Sequence, residues 1–354
     1  MRDDPEAIAV RPGEEIDGAR LEPWLRERLP DAPRPFQIKQ FGGGHANLTY
    51  LVRFGDVEYV LRRPPLGRVA PTSHDMRREH RVLSRLGAAF PLAPRSLLFC
   101  ADHSLLGAEF HLMERRHGFV IRTDLPERFR GRPALNRRIG EMIVDTLADL
   151  HKVDPASVGL GDLGQPDGYV ERQLQRWTER WHAAKDRRLD AVERLIGWLA
   201  SDVPRAQAVT LLHNDYKLDN ILVGSLDPAV PAAVLDWDMC TRGDPLMDLG
   251  YLLNFWIEAG DDPEWIEAAS MPTYREGFSS REDVIQRYAR ATGLNVDRVG
   301  WYRVFGVFKL IVIVQQIYIR FLRGQTQDRR FAGFGRRVEQ LAEKGVALTA
   351  TKTV

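Results

Sequence analysis

Leu211-Leu212-His213-Asn214-Asp215-Tyr216-Lys217-Leu218-Asp219-Asn220-Ile221-Leu222-Val223, followed by Val234-Leu235-Asp236-Trp237-Asp238, is the stretch on which the reading of this 354-residue chain turns. Two apolar runs of strand type bracket a polar loop. The loop carries Asp215 and, five positions on, Asn220, and Asp236 closes the next apolar run. Taken singly, each aspartate reads as a turn residue or helix cap, the common fate of a loop carboxylate. Taken together, two carboxylates and an amide oxygen in register form a set of hard oxygen donors.

Phosphoryl transfer from ATP needs that layout: one carboxylate to orient a hydroxyl, and an amide oxygen plus a second carboxylate to hold Mg²⁺. Asp215 is therefore the candidate catalytic base, and Asn220 and Asp236 are the candidate Mg²⁺ ligands. The His-x-Asp-x-x-x-x-Asn spacing is that of a kinase catalytic loop. Asp238 either reaches the metal through water or caps the next turn. Asp219 reads as structural, and His213 braces the loop. Asp248, in Gly243-Asp244-Pro245-Leu246-Met247-Asp248, reads as an anchor beneath it.

Upstream, Tyr50, Val52 and Phe54 alternate with other residues, Gly55-Asp56 supplies a turn, and Val57, Tyr59 and Leu61 alternate again, a β-hairpin pattern. Before it lies Gly42-Gly43-Gly44-His45-Ala46-Asn47-Leu48-Thr49. Glycines let backbone N–H groups approach phosphate, so Gly43 and Gly44, with donors from Asn47 and Thr49, are candidate nucleotide contacts. Arg62 stands on the strand where a phosphate-pairing lysine is expected, and Glu79 is its matching helix carboxylate. The bland alternative is a surface ion pair. Met113 and Glu114 fall where adenine meets the connector between lobes.

Length suits two unequal lobes, giving an α+β reading: a small β-sheet lobe with one helix, then a larger, mainly helical lobe. The expected divisions are an arm with a short helix at 1–35, a nucleotide lobe at 36–114, a connector at 115–118 and a catalytic and substrate lobe at 119–354. Strands are expected at 97–101 and 109–114. A helix at 73–86 is expected to be capped by Thr72 or Ser73. Further helices are expected around Ile139 to Leu150, Leu174 to Trp181 and Val192 to Leu199, and over 246–258, 281–292 and 298–323. Fifty basic against forty-nine acidic residues give a net charge of +1, so no nucleic-acid partner is implied. Two distant cysteines and no apolar leader point to the cytoplasm. The apolar run 304–314, interrupted by Lys309, falls short of the ~20 residues of a membrane span and reads as a buried helix.

At these residues the chain resembles the aminoglycoside phosphotransferase-like family, a branch of the protein-kinase-like fold, over residues 36–260. Gly43-Gly44, Asn47-Leu48-Thr49-Tyr50, Tyr59-Val60-Leu61-Arg62, Arg78-Glu79, Leu150-His151 and Gly243-Asp244-Pro245 carry the likeness. More narrowly, Val60-Leu61-Arg62-Arg63-Pro64-Pro65-Leu66-Gly67 and Arg172-Gln173-Leu174 are similar to kinase-like domains associated with acyl-CoA dehydrogenases. The resemblance implies an ATP- and Mg²⁺-dependent phosphotransferase acting on the hydroxyl of a small molecule, a hydroxyacyl-CoA or another metabolite. The alternatives are an aminoglycoside acceptor and a catalytically inactive ATP-binding protein. An aminoglycoside is polycationic and would want an acidic wall, for which Glu258, Asp261, Asp262, Glu264 and Glu267 are available. An acyl chain would prefer the aromatics Trp177, Trp181, Phe255 and Trp256. Two departures from the family pattern stand out: Asn214 replaces the usual glycine, and Arg62 the usual lysine.

Overall fold

In the computed structural model, which describes residues 7–30, 32–42, 47–65, 75–326 and 328–350, the first third of the chain builds a six-stranded antiparallel sheet. Its elements are β1 (Ala7–Ile8), α1 (Gly18–Arg26), β2 (Phe36–Phe41), β3 (Leu48–Phe54), β4 (Val57–Arg63), α2 (Met76–Leu83), β5 (Ser96–Cys100), α3 (His103–Leu106) and β6 (Phe110–Glu114). The strand order is β1-β2-β3-β4-β6-β5. Alternation divides this sheet into two faces, as a period of two must. Tyr50, Val52, Phe54, Tyr59 and Leu61 point into a core shared with Leu21 and Leu25 of α1. Val60 and Met113 join the other core, with Val82 and Leu83 of α2 and the helices that follow. The segment read as an arm is thus part of the sheet: β1 pairs with β2, and α1 covers one face.

The helix expected at 73–86 is shorter. It begins after Asp75, whose carboxylate accepts the Arg78 N–H at 2.9 Å. Aspartate caps as strongly as serine and sits at the turn where the apolar face starts. Thr72 and Ser73 lie outside the described residues.

The remainder comprises β7 (Phe119–Val120), α4 (Pro133–His151), α5 (Tyr169–Ala184), α6 (Asp190–Ser201), β8 (Thr210–Leu212), β9 (Ile221–Val223), β10 (Pro231–Val234), β11 (Thr241–Gly243), α7 (Leu246–Phe255), α8 (Pro263–Glu267), α9 (Arg281–Thr292), α10 (Val299–Leu322) and α11 (Phe334–Ala350). The α+β, protein-kinase-like architecture is therefore present. Two small sheets, β10-β9-β7 and β11-β8, hold the decisive loops: residues 213–220 span β8 to β9, and Asp236 to Asp238 follow β10. Gly118 joins the lobes because a Cβ there would lie 2.3 Å from the Val223 carbonyl oxygen. By length and composition α10 could cross a membrane. Its Val304, Phe305, Val307, Phe308, Ile311 and Val312 instead fill the core between α7 and α11.

Candidate active site

The loop after β8 is fixed from beneath. Asp248, fully buried in the first turn of α7, accepts the N–H groups of His213 at 2.7 Å and Asn214 at 2.8 Å. His151 Nε2 lies 3.3 Å from the same carboxylate, and His151 Nδ1 meets the Tyr288 hydroxyl at 2.6 Å. Burial pushes the Asp248 carboxyl up, but His151 and the backbone donors outweigh it and leave it below the ordinary range. Asp248 is the anchor that its position suggested. His213 Nε2 faces the Leu235 carbonyl at 2.8 Å, and Nδ1 faces the Asp215 N–H at 3.3 Å. A carbonyl only accepts and an N–H only donates, so this network assigns the ring proton to Nε2.

Asn214 explains its own departure from glycine. Its φ is +65°, a left-handed conformation that asparagine tolerates better than most residues. Tyr169 donates to its Oδ1 at 3.1 Å, and its Nδ2 donates to the Met239 carbonyl at 3.0 Å.

Asp215 and Asn220 touch. Asn220 Nδ2 donates to the Asp215 backbone oxygen at 2.8 Å and to Oδ2 at 2.9 Å. With its amide nitrogen spent there, Asn220 keeps Oδ1 as a free oxygen donor. The Leu235 N–H donates to the Asn220 carbonyl at 2.8 Å, which ties the Asp236 segment to the same loop. Asp236 also has positive φ, +69°, a costly conformation for a residue other than glycine. Its Oδ1 accepts Arg62 Nη2 at 2.7 Å. Burial pushes the Asp236 carboxyl up, Arg62 pulls it down further, and the net value is lowered.

Arg62 reaches the other way to Glu79, which is completely buried on α2. The expected Arg62–Glu79 pair is therefore formed, inside the protein rather than on its surface. Glu79 also meets His111 Nε2 at 3.2 Å. A line of contacts continues from His111 Nδ1 to Ser96 Oγ at 2.9 Å, and from Ser96 Oγ to His80 Nδ1 at 2.9 Å. Burial opposes the charge on Glu79, but Arg62 and His111 more than offset it, so its carboxyl lies low.

Other expected contacts fall differently. Asn47 donates Nδ2 to Asp238 Oδ2 at 3.1 Å, joining the small lobe to the loop after β10. Burial, with Asp236 and Glu79 nearby, pushes the Asp238 carboxyl up to about 7. Thr49 lies opposite Arg62 in the β3–β4 register. Met113 is buried opposite Val60. The Glu114 carboxylate accepts the Arg95 N–H at 2.8 Å and Arg116 Nε at 2.9 Å. Gly43 and Gly44 lie outside the described residues.

Two lysines went unremarked in the sequence as chemistry. Lys217 Nζ lies 3.2 and 3.1 Å from the two Asp215 oxygens and 5.6 Å from the Phe255 ring centroid. Its spacing, two after Asp215, was the available signal. Lys309, buried in α10, donates to the Asn214 carbonyl at 2.6 Å and stands 4.1 Å from the Tyr251 ring centroid. Burial pushes it down to about 8. A lysine interrupting an apolar helix was the clue. The acidic residues 258–267 are directed elsewhere: Glu258 and Asp261 pair with Arg281, and Asp262 caps α8. Trp177, Trp181 and Trp256 are core residues, while Phe255 is half-buried.

Among the described residues no three His, Cys, Asp or Glu side chains converge as a self-contained metal site. The donors that remain, Asn220 Oδ1 and Asp236 Oδ2, suit a hard cation whose other ligands come from phosphate and water.

Residues 37–277 match the model of the phosphotransferase enzyme family. Acyl-CoA dehydrogenase family member 11 of Gallus gallus is 32% identical over 366 residues, covering 99% of this chain and 45% of that protein. The Homo sapiens member 11 is 32% identical over 353 residues, covering 96% of this chain and 44% of its own length. The chain thus spans less than half of these relatives. A structure from Ralstonia eutropha JMP134, provisionally described as an aminoglycoside phosphotransferase, superposes with TM-score 0.81 at 28% identity, covering 94% of this chain and 98% of that one. A thermostable aminoglycoside phosphotransferase mutant in complex with AMP-PNP and hygromycin B superposes with TM-score 0.59 at 16% identity, covering 93% and 99%.

Proposed function

Because the chain belongs to the phosphotransferase enzyme family, we propose that it moves the terminal phosphoryl group of ATP, held with Mg²⁺, onto the hydroxyl of a small-molecule acceptor. The observation that carries this reading is the continuous set Asp215–Asn220–Asp236–Arg62–Glu79, each joined to the next by a hydrogen bond or through the Leu235 backbone. Asp215 takes the acceptor's proton at its carboxylate. Asn220 fixes the rotamer of Asp215 through Nδ2 and keeps Oδ1 available, as Asp236 keeps Oδ2. Bound Mg²⁺ would neutralise charge on the phosphate oxygens there. Arg62 holds Asp236 with one arm of its planar fork and Glu79 with the other, a task a single ammonium does less well. Lys217 places a cation next to Asp215, where negative charge passes during transfer.

The surroundings of Asp215 favour a neutral or anionic acceptor. Lys217, shared between Asp215 and Asp219, and the buried Lys309 bring two cations there beside the Tyr251 and Phe255 rings, while Glu258 and Asp261 are engaged with Arg281, Asp262 caps α8 and Glu264 accepts Gln340. A hydroxyacyl-CoA fits that chemistry better than a polycationic antibiotic. The named relatives point the same way. Two free, buried cysteines support a reducing, cytoplasmic setting. The test is ATP consumption measured over hydroxyacyl-CoAs, small alcohols and aminoglycosides, with Asp215→Asn as control. Turnover with a hydroxyacyl-CoA that disappears in the variant supports the reading. Equal turnover in both proteins, or none with any acceptor, removes it.

A further inference from the structure

Behind the Arg62–Glu79 pair, a line of polar side chains leads from the core of the small lobe toward its surface: Glu79, His111, Ser96 and His80. The Glu79 and His111 side chains are completely buried, Ser96 is buried, and His80 is half-buried. Glu79 and His80 are neighbours on α2, His111 of β6 lies opposite Arg62 of β4, and Ser96 opens β5. The β5–β6 register shifts between Ser96 and Leu98, an irregularity of the kind that re-aims a side chain. Ser96 Oγ stands 2.9 Å from Nδ1 of each imidazole. The His80 ring is stacked on Phe99, 5.3 Å between centroids. A carboxylate, an imidazole and a hydroxyl in series can activate a nucleophile. Here the hydroxyl is buried with a ring nitrogen on either side, so the series serves the ion pair instead.

The protons along the line follow from one fixed point. Burial opposes the charge on Glu79, yet Arg62 and His111 hold its carboxyl low. An ionised carboxylate only accepts, so His111 donates to it from Nε2. Burial, with His111 and Arg77 nearby, pushes His80 down, which leaves that ring a single proton at neutral pH. With His111 also neutral, one arrangement satisfies every atom: His80 Nδ1–H donates to Ser96 Oγ, and the Ser96 hydroxyl donates to His111 Nδ1. All donors then point toward Glu79, each polarising the next. The two Glu79 oxygens have separate tasks. Oε2 takes His111 and Oε1 takes Arg62 Nη1, while Arg62 Nη2 continues to Asp236 Oδ1 at 2.7 Å.

We propose that His111 is a positioning residue for the nucleotide site: by holding Glu79 Oε2 it sets the angle at which Arg62 meets Asp236, while Ser96 and His80 keep its proton on Nε2. The inference rests on the phosphotransferase reading for what Arg62 serves, but the Arg62–Glu79 geometry can be followed without nucleotide. A packing role would be filled by any side chain of suitable bulk. A positioning role needs a donor at one place. The amide nitrogen of glutamine reaches about where Nε2 lies, and that of asparagine only about as far as Nδ1.

Nuclear magnetic resonance of the full chain carrying ¹⁵N-arginine and ¹⁵N-histidine, with calorimetric titration of AMP-PNP and Mg²⁺, tests this. The wild-type His111 ring should carry a proton on Nε2. The Arg62 guanidinium signal, identified by its loss in Arg62→Lys, should stay in place in His111→Gln, with nucleotide affinity within about twofold of wild type. His111→Asn should move that signal and weaken nucleotide binding about fivefold or more, the scale of a lost hydrogen bond to a charged group. Should His111→Asn fail to fold, His111→Met, which fills the space without a donor, is held to the same criterion. A wild-type ring protonated on Nδ1 alone, an Arg62 signal displaced equally by glutamine and by the donor-less variant, or equal nucleotide affinity in those two variants would overturn the assignment. A wild type that binds no nucleotide, with the Arg62 signal still following the expected pattern, would leave His111 positioning the ion pair and remove the phosphotransferase reading.

Discussion

Replacing Arg62 by methionine tests the electrostatic frame of the site. The side chain is matched in length, so the change removes charge and donors while keeping bulk. Two carboxylates lose their cation: Glu79, completely buried, and Asp236, whose side chain is 33% exposed. Breaking a buried pair by removing one partner typically costs about 3–5 kcal/mol. Glu79 keeps His111 at 3.2 Å, and Asp236 keeps access to water, so the lower end applies, about 3 kcal/mol. With an m-value near 3 kcal/mol/M, that is a fall of roughly 1 M in the urea midpoint.

The pH dependence gives a sharper signature. In the wild type both carboxyls lie below their ordinary values. Their stabilisation is therefore present above the unfolded pKa and lost as pH falls through the folded one. In Arg62→Met both pKa values rise above the unfolded reference, so the variant takes up protons in mild acid. Its deficit should then shrink as pH drops from about 7 to about 5. Adding Glu79→Gln should return at least about 1 kcal/mol of the loss, because it removes one of the two stranded charges. A deficit under about 1 kcal/mol at neutral pH, or one that does not change with pH, refutes the reasoning.

Three further outcomes are expected. Asp215→Asn should lower turnover at least ~10²-fold, as for loss of a general base, while leaving nucleotide affinity nearly intact in a binding titration; joint loss of both would contradict the assigned role. Lys309, pushed down to about 8, is protonated in the unfolded chain up to its ordinary value near ~10.4. The unfolded state therefore binds more protons between those values, and stability should rise with pH across that window. Lys309→Met should flatten this rise in urea midpoints taken at each end, and an unchanged slope would count against the buried charge. Gly118→Ala drives a Cβ to 2.3 Å from the Val223 carbonyl oxygen, so thermal melting should report a loss of about 1–3 kcal/mol; a neutral result would mean the lobe junction yields.

Much of this was legible because local pattern and tertiary role coincided. The alternation through Tyr50 to Leu61 is decided by burial on both faces of the sheet, so the strands appeared where expected. The helices at 133–151 and 169–184 likewise bury the faces their spacing marks out. Asp215, Asn220 and Asp236 were readable from spacing alone because one short loop and one strand end carry them. What spacing cannot reveal is a contact across the chain. Asn47 meeting Asp238, and Ser96 bridging His80 and His111, bring together residues from separate strands and loops. The helix at 334–350 was missed since Gly335, Ala342 and Gly345 form much of its buried face, and small residues give a weak apolar signal. The N-terminal segment was read as an arm with a short helix because the spacing of Leu21 and Leu25 marks the helix but not the sheet face it covers, where they complete the small core.

The most direct measurement of the central claim is a crystal of the protein grown with AMP-PNP and Mn²⁺, analysed by anomalous diffraction. Manganese accepts the same oxygen donors as magnesium. A peak about 2.1 Å from both Asn220 Oδ1 and Asp236 Oδ2, with the Asp215 carboxylate facing the terminal phosphate, is the predicted result. A nucleotide bound with its metal on other side chains, or with Asp215 turned away from the phosphate, would contradict it.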